Sequence, residues 1–296
     1  MTKIPSSYRG RFAPTPSGPL HFGSLVAALA SWLDARCAHG QWFVRIDDID
    51  PPREIPGAAD TILRQLDAFG LHWDGGVRYQ SLRHGAYADA ISTLLDHTDA
   101  FYCALSRTDL DALGNQHPGI SVAVQDDANA AVRLQVADRD ICFEDRWQGL
   151  TCYNLHGAGG AFVIRRRDGL YAYQLACALD EADDHISHVV RGIDLIDSTP
   201  RQLAVLNALQ REAPHYAHLP VVTDTHGAKL AKSNNALSLN SDNAAAELSL
   251  ALKWLGGPYV QGDIQDILNA ALQWWPTGAK TLCNMEASPA PLLSLT

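Results

Sequence analysis

The chain has 296 residues, 47% of them apolar and 19% charged, and carries a formal net charge of −10. At about 100–200 residues per domain this length holds one large or two modest domains with a real core, which excludes a disulfide-stapled miniature fold and long disordered tracts. Its acidity excludes whole-chain attraction to nucleic acid, so any RNA contact needs a local patch; with no apolar run near the roughly 18 residues of a membrane span and no signal-like start, a cytoplasmic protein is expected.

From Tyr8 to Ala13 the chain reads as a strand that stops at Pro14, Thr15, Pro16, Ser17, Gly18 and Pro19, a run no regular element continues. Helical spacing follows from Ser24 to Cys37, with Leu25, Ala28, Leu29, Trp32 and Leu33 in phase and Gly40 as a stop. Gln41 to Ile46 is a second strand, closed by Asp47, Asp48, Asp50, Pro51 and Pro52, and Ala58 to Phe69 is a second amphipathic helix. This β-α-β-α order predicts an α/β fold, a Rossmann-type parallel sheet covered by helices. After a helix around Tyr87 to Leu95, the stretch from Phe101 to about Phe162 loses the rhythm and reads as an α+β insertion. The rhythm returns at Phe162–Arg166, Ala172–Leu179, Val189–Val190, Pro200–Gln210 and Leu219–Thr223, and two amphipathic stretches follow, Ala244–Leu255 and Ile264–Trp274. The expected organisation is a Rossmann-type domain in two halves, residues 1–100 and 163–240, an insertion at 101–162 and a helical C-terminal region at 241–296. Six cysteines, Cys37, Cys103, Cys142, Cys152, Cys177 and Cys283, form no C-x-C or C-x-x-C pair and are expected to be reduced, without disulfides.

Two segments carry chemistry. The first, Arg11 to Ser24, lies where open α/β sheets bind ligands, at the carboxyl end of a strand beside a helix N-terminus. Backbone N–H groups there suit phosphate, Gly23 lets a flat ring approach the backbone, and His21 is a donor for a phosphate oxygen whose charge grows during reaction. The same residues also suit a plain proline-rich turn capped by Ser17 or Ser24 with His21 at the surface; the position after a strand favours a ligand site. The second segment is Gly227–Ser233, where Lys229 and Lys232, two of only five lysines, sit among small residues. As point charges they suit a polyphosphate, and equally a solvated surface loop.

Together these segments resemble the class I aminoacyl-tRNA synthetases, with His21–Ser24 at the family's H-x-G-H-type motif and Lys229–Ser233 at its K-M-S-K-S-type loop. Arg11–Gly18, Val44–Asp50 with Arg53, Asp180 and Val190–Asp194 resemble its glutamyl branch. Residues 21–29, 48–59, 166–176, 218–221 and 227–233 look like the truncated members of that branch that modify queuosine, and the similarity covers roughly residues 8–240. The resemblance implies that Arg11, Ala13, Thr15, Asp47, Tyr173 and Arg191 bind L-glutamate, that His21, Gly23, Ser24 and Lys232 bind ATP, and that His21, Lys229 and Lys232 assist the reacting phosphates.

Three departures stand out. Asp47 replaces the family's usual Glu and is one methylene shorter, so that its contact with the substrate ammonium is expected to be longer or bridged by water. Ala231 replaces a Ser in the lysine loop, leaving more to Lys232. Many members bind zinc through a C-x-C pair, but here Leu105 follows Cys103 and His117 alone does not complete a four-ligand site, so no zinc is expected. The function implied is an ATP- and Mg²⁺-dependent ligase that activates glutamate to its adenylate without tRNA. It then transfers the glutamyl group to the queuosine base in the anticodon of tRNA(Asp), acting as a monomer with no membrane partner. The alternatives are a truncated synthetase charging the tRNA 3′ end, for whose basic anticodon-binding domain too few residues follow the lysine loop, and a non-catalytic glutamate- or RNA-binding module.

Overall fold

The structure, a computed structural model, describes residues 8–125, 130–223, 238–284 and 288–289. Its first half is β1 (Arg9–Phe12), α1 (Phe22–Cys37), β2 (Gln41–Ile46), α2 (Ala58–Ala68) and β3 (Arg78–Tyr79). The three strands run parallel in the order β1-β2-β3, with Arg11 opposite Phe43 and Arg45 opposite Arg78. The predicted β-α-β-α rhythm is therefore present, with boundaries displaced by only one or two residues. The proline run between β1 and α1 is tied to the end of β2: Asp47 N donates to Pro14 O at 3.0 Å and Ile55 N to Pro16 O at 2.9 Å. Gly18 at φ 127° supplies a left-handed turn there that other residues rarely adopt. His21, not Ser17 or Ser24, caps α1; its Nδ1 accepts from Ser24 N at 3.2 Å.

The chain continues through α3 (His84–Asp96), β4 (Ala100–Cys103), α4 (Arg107–Ala112), β5 (Ala131–Leu134), β6 (Asp140–Asp145), β7 (Gly149–Asn154) and β8 (Phe162–Arg165). Strands β4, β5 and β8 form a small antiparallel sheet. Next come α5 (Tyr173–Asp183), β9 (His188–Gly192), α6 (Thr199–Ala208), β10 (His215–Leu219) and β11 (Val222–Thr223). Strand β10 pairs in parallel with β9 on one side and with β6 on the other, so the β6–β7 hairpin extends this sheet rather than the small one. Strands β1 and β9 lie side by side, with Ser187 N donating to Arg9 O at 2.9 Å, which joins the two parallel sheets into one layer. Helices α7 (Ala244–Trp254) and α8 (Ile264–Gly278) pack on α1, and β12 (Ser288–Pro289) pairs with β11.

Burial explains the arrangement. Leu25, Leu29, Leu33, Trp42, Ile46, Ile62, Leu66, Leu252 and Trp275 share one core between α1, α2, the sheet and the two last helices. A second core joins Tyr87, Leu94, Val132, Ile164, Leu175 and Leu206 beneath α5 and α6. Two expectations need correction. The strand expected at Leu219–Thr223 is two elements: β10 starts at His215 and ends before Pro220, which has no N–H to donate, and β11 adds only Val222 and Thr223. The cysteines were expected to be free, yet Cys142 and Cys152 are joined by a disulfide. They face each other in register across the β6–β7 hairpin, a pairing created by strand register rather than by a short spacing motif.

Candidate active site

A cleft of about 530 Å³ opens at the carboxyl ends of β1, β9 and β10, the edge at which open parallel sheets hold ligands. It is lined by Arg11, Ala13, Thr15, His21, Gly23, Ser24, Tyr173 and Arg191, eight of the residues expected to bind glutamate or ATP, brought together from four separate segments. The α1 N-terminus forms one wall. A Cβ on Gly23 would come within 3.2 Å of the His21 ring, so the backbone stays open there only because the residue is glycine. His21 Nδ1 is an acceptor in its cap, which places the ring proton on Nε2, 3.2 Å from Ser24 Oγ.

The guanidinium groups of Arg11 and Arg191 are oriented by buried partners. Arg11, 4% exposed, donates from Nε and Nη2 to Glu181 Oε1 at 2.9 Å and from Nη1 to Val190 O at 3.3 Å. Burial would raise the Glu181 carboxyl, but Arg11 and Arg45 outweigh it and hold the group below its ordinary range, ionised. Arg191, 5% exposed, donates from Nε to His218 Nε2 at 3.0 Å and from Nη2 to Thr199 Oγ1 at 2.8 Å. Its Nη1 is buried and has no hydrogen-bond partner among the described residues, a donor that a substrate carboxylate would satisfy. Burial, and next the thiol of Cys177, push the Tyr173 hydroxyl up, which keeps it a neutral donor.

The remaining expected residues lie elsewhere. Asp47 does not line the cleft; it is buried and accepts from Arg45 Nε at 2.6 Å and Nη2 at 3.3 Å, with Cys177 Sγ 3.7 Å away. Asp180 is also buried, accepting from Gln80, Arg83 and Tyr87, and ties α3 to α5. Cys103 Sγ and His117 Nε2 are 3.2 Å apart, and burial, aided by Arg133, pushes the His117 imidazole down to about 4. Among the described residues no group of three or more His, Cys, Asp or Glu side chains is arranged to hold a metal ion. Lys229, Ala231 and Lys232 lie outside the described residues.

Sequence reasoning missed Glu181, Thr199, Asp145 and His218, the groups that orient the arginines. Glu181 follows Asp180 at the end of the buried, otherwise apolar run Leu175–Glu181 of α5, and that acidic pair was the readable signal. Nothing local marks Thr199 or Asp145.

The family of class I tRNA synthetases (E and Q), catalytic domain, matches residues 7–254. A glutamyl-Q tRNA(Asp) synthetase of Photobacterium profundum is 48% identical over 268 residues, spanning 90% of this chain and 86% of that protein. One from a Pseudomonas putida strain is 49% identical over 257 residues, spanning 86% of each. The glutamate tRNA ligase of Elizabethkingia meningosepticum, crystallised with its amino acid, shares the fold with a TM-score of 0.79 at 21% identity, over 95% of this chain and 67% of that one. The sheet edge, the α1 cradle and these likenesses agree, and the chain belongs to the class I aminoacyl-tRNA synthetases of the E and Q type, in the branch of the glutamyl-Q tRNA(Asp) synthetases, a family of ligases.

Proposed function

We propose that this enzyme activates L-glutamate with ATP to glutamyl adenylate, without tRNA, and passes the glutamyl group to the queuosine base in the anticodon of tRNA(Asp). The observation that carries the reading is the buried Nη1 of Arg191, unpartnered among the described residues, on a side chain that lines the same cleft as the α1 N-terminus. Arg11, Tyr173 and Arg191 hold the amino acid, with Ala13 and Thr15 lining its pocket. His21, Gly23 and Ser24 take the nucleotide, and Lys229 and Lys232 complete its phosphate contacts. Asp47 serves this site through Arg45, which it holds 3.8 Å from Glu181, rather than by touching the ammonium group. The substrate α-carboxylate attacks the α-phosphorus of ATP in line and pyrophosphate leaves, so alignment and charge stabilisation carry the step without an acid–base residue. Magnesium ordinarily arrives on nucleotide phosphates with most of its waters and asks for no all-protein cage. The enzyme works as a monomer in the cytoplasm.

Because the glutamate pocket is built from protein side chains alone, exchange of labelled pyrophosphate into ATP is expected with glutamate in the absence of tRNA. Exchange that appears only with tRNA would refute this part of the reading. The Cys103–His117 pair supplies two ligands where zinc takes about four. The purified protein is accordingly expected to carry no stoichiometric zinc and to melt at the same temperature with and without a chelator; one zinc per chain by metal analysis would contradict it.

A further inference from the structure

Behind Arg191 stands a hydrogen-bonded chain that no residue of the cleft itself explains. Asp145 and His218 are both fully or almost fully buried, at 1% and 0% exposure. Asp145 Oδ1 accepts three backbone N–H groups, from Trp147 at 3.0 Å, Gln148 at 3.0 Å and His218 at 3.2 Å. Its Oδ2 lies 2.6 Å from His218 Nδ1. On the far side of the ring, His218 Nε2 is 3.0 Å from Arg191 Nε and 3.3 Å from Thr199 Oγ1.

The protons follow from valence. Arginine Nε is only ever a donor, so His218 Nε2 presents its lone pair; the single ring proton then sits on Nδ1 and is donated to Asp145. Thr199 Oγ1 accepts from Arg191 Nη2 at 2.8 Å and turns its own proton toward Nε2. Burial, opposed but not overcome by Asp145, keeps the imidazole neutral. Of the three guanidinium nitrogens of Arg191, Nη1 alone has no hydrogen-bond partner among the described residues.

We propose that Asp145 and His218 are positioning residues for Arg191: the carboxylate selects the His218 tautomer whose Nε2 accepts from Arg191, and this turns the remaining guanidinium nitrogen toward the substrate carboxylate. The proposal rests on the reading that Arg191 holds glutamate. Asp145 belongs to the β6–β7 hairpin, His218 to β10 and Arg191 to β9, so the glutamate pocket is set by an element outside its own walls.

Asp145→Asn tests it. The substitution is isosteric and leaves Oδ1 to accept the three backbone N–H groups, but its amide donates to Nδ1 and drives the ring proton to Nε2, donor against donor with Arg191. Glutamate affinity, measured by calorimetry, is expected to fall about tenfold, while ATP affinity and the melting temperature stay close to those of the unaltered enzyme. In an Arg191→Ala background the same change is expected to alter glutamate affinity by less than about twofold, since no guanidinium remains to be aimed. Unchanged glutamate affinity in Asp145→Asn, or an equal loss in both backgrounds, would overturn the proposal. If Asp145→Asn does not fold, His218→Gln, whose oxygen accepts from Arg191 whatever the tautomer, is expected to bind glutamate more tightly than His218→Ala; equal affinities would overturn it too. Failure of the underlying reading shows separately, as unchanged glutamate affinity in Arg191→Ala itself.

Discussion

Arg191→Ala is expected to weaken glutamate binding by about 2–5 kcal/mol, a loss of roughly thirtyfold to several thousandfold. The size follows from burial. At 5% exposure and with Nη1 unpartnered among the described residues, this guanidinium would, on the proposed function, meet a substrate carboxylate with little water to screen the pair. Truncation leaves the carboxylate desolvated and unpaired, and it also strands the acceptors on His218 and Thr199 that had been satisfied by Nε and Nη2. Lysine restores the charge but reaches the site as a single point, without the fork that engages His218, Thr199 and the substrate together, so Arg191→Lys is expected to fall between the two. Titration of glutamate into the three proteins, with ATP affinity as the control, measures the effect. An alanine variant that binds glutamate normally would remove Arg191 from the pocket.

The second large effect concerns the acceptor. A net charge of −10 argues against an interface made of many phosphate contacts along a whole tRNA, because each such contact needs a cation. A stem-loop asks for less. Arg53, with its side chain 68% exposed, lines the cleft and pairs with Asp50, and Arg166 nearby pairs with Asp50 and Asp168; the two arginines are balanced by these two carboxylates, so they serve a phosphate only by exchanging carboxylate partners for it. An unpaired loop base is extruded into a pocket at a cost of a few kcal/mol, and a cleft of about 530 Å³ falls within the usual range for small-molecule sites. On the proposed function, tRNA(Asp) stripped of its 3′-terminal CCA is expected to accept glutamate as well as the intact molecule, whereas tRNA(Asp) made without queuosine is expected to accept none. Transfer of labelled glutamate to the two substrates decides the matter. Dependence on CCA with indifference to queuosine would make the enzyme a 3′-end synthetase, while the fold and the Arg191 titration would be untouched.

Much of this molecule is legible in its sequence. The first strand, the proline-rich turn, the first helix and the second strand are each specified by residues within a few positions of one another. Apolar spacing, prolines that cannot continue a strand and a stop at Gly40 are local signals, and the observed boundaries of α1 and β2 follow them closely. His21 and Gly23 stand in that local frame, so their meeting at the mouth of a helix is readable from spacing alone. Less legible is β10, whose sequence His215, Tyr216, Ala217, His218 and Leu219 has weak apolar alternation; it is a strand because β9 and β6 flank it, and its pairing partners lie far along the chain.

By itself, the sequence determined the α/β layering, the sheet edge at which the cleft opens and the residue types gathered there. The tertiary structure decided how each charged group is used. Arg11 meets Glu181 across 170 positions and His218 meets Asp145 across 73. Asp47, whose type and place both pointed to substrate, is turned to Arg45 two residues back along the chain. Cys142 and Cys152 meet only because a hairpin is in register. Secondary structure obeys short-range sterics and periodicity, which a sequence displays directly. The pairing of buried charges obeys strand register and the desolvation of whatever is left without a partner, and both come into being only when distant segments are packed together.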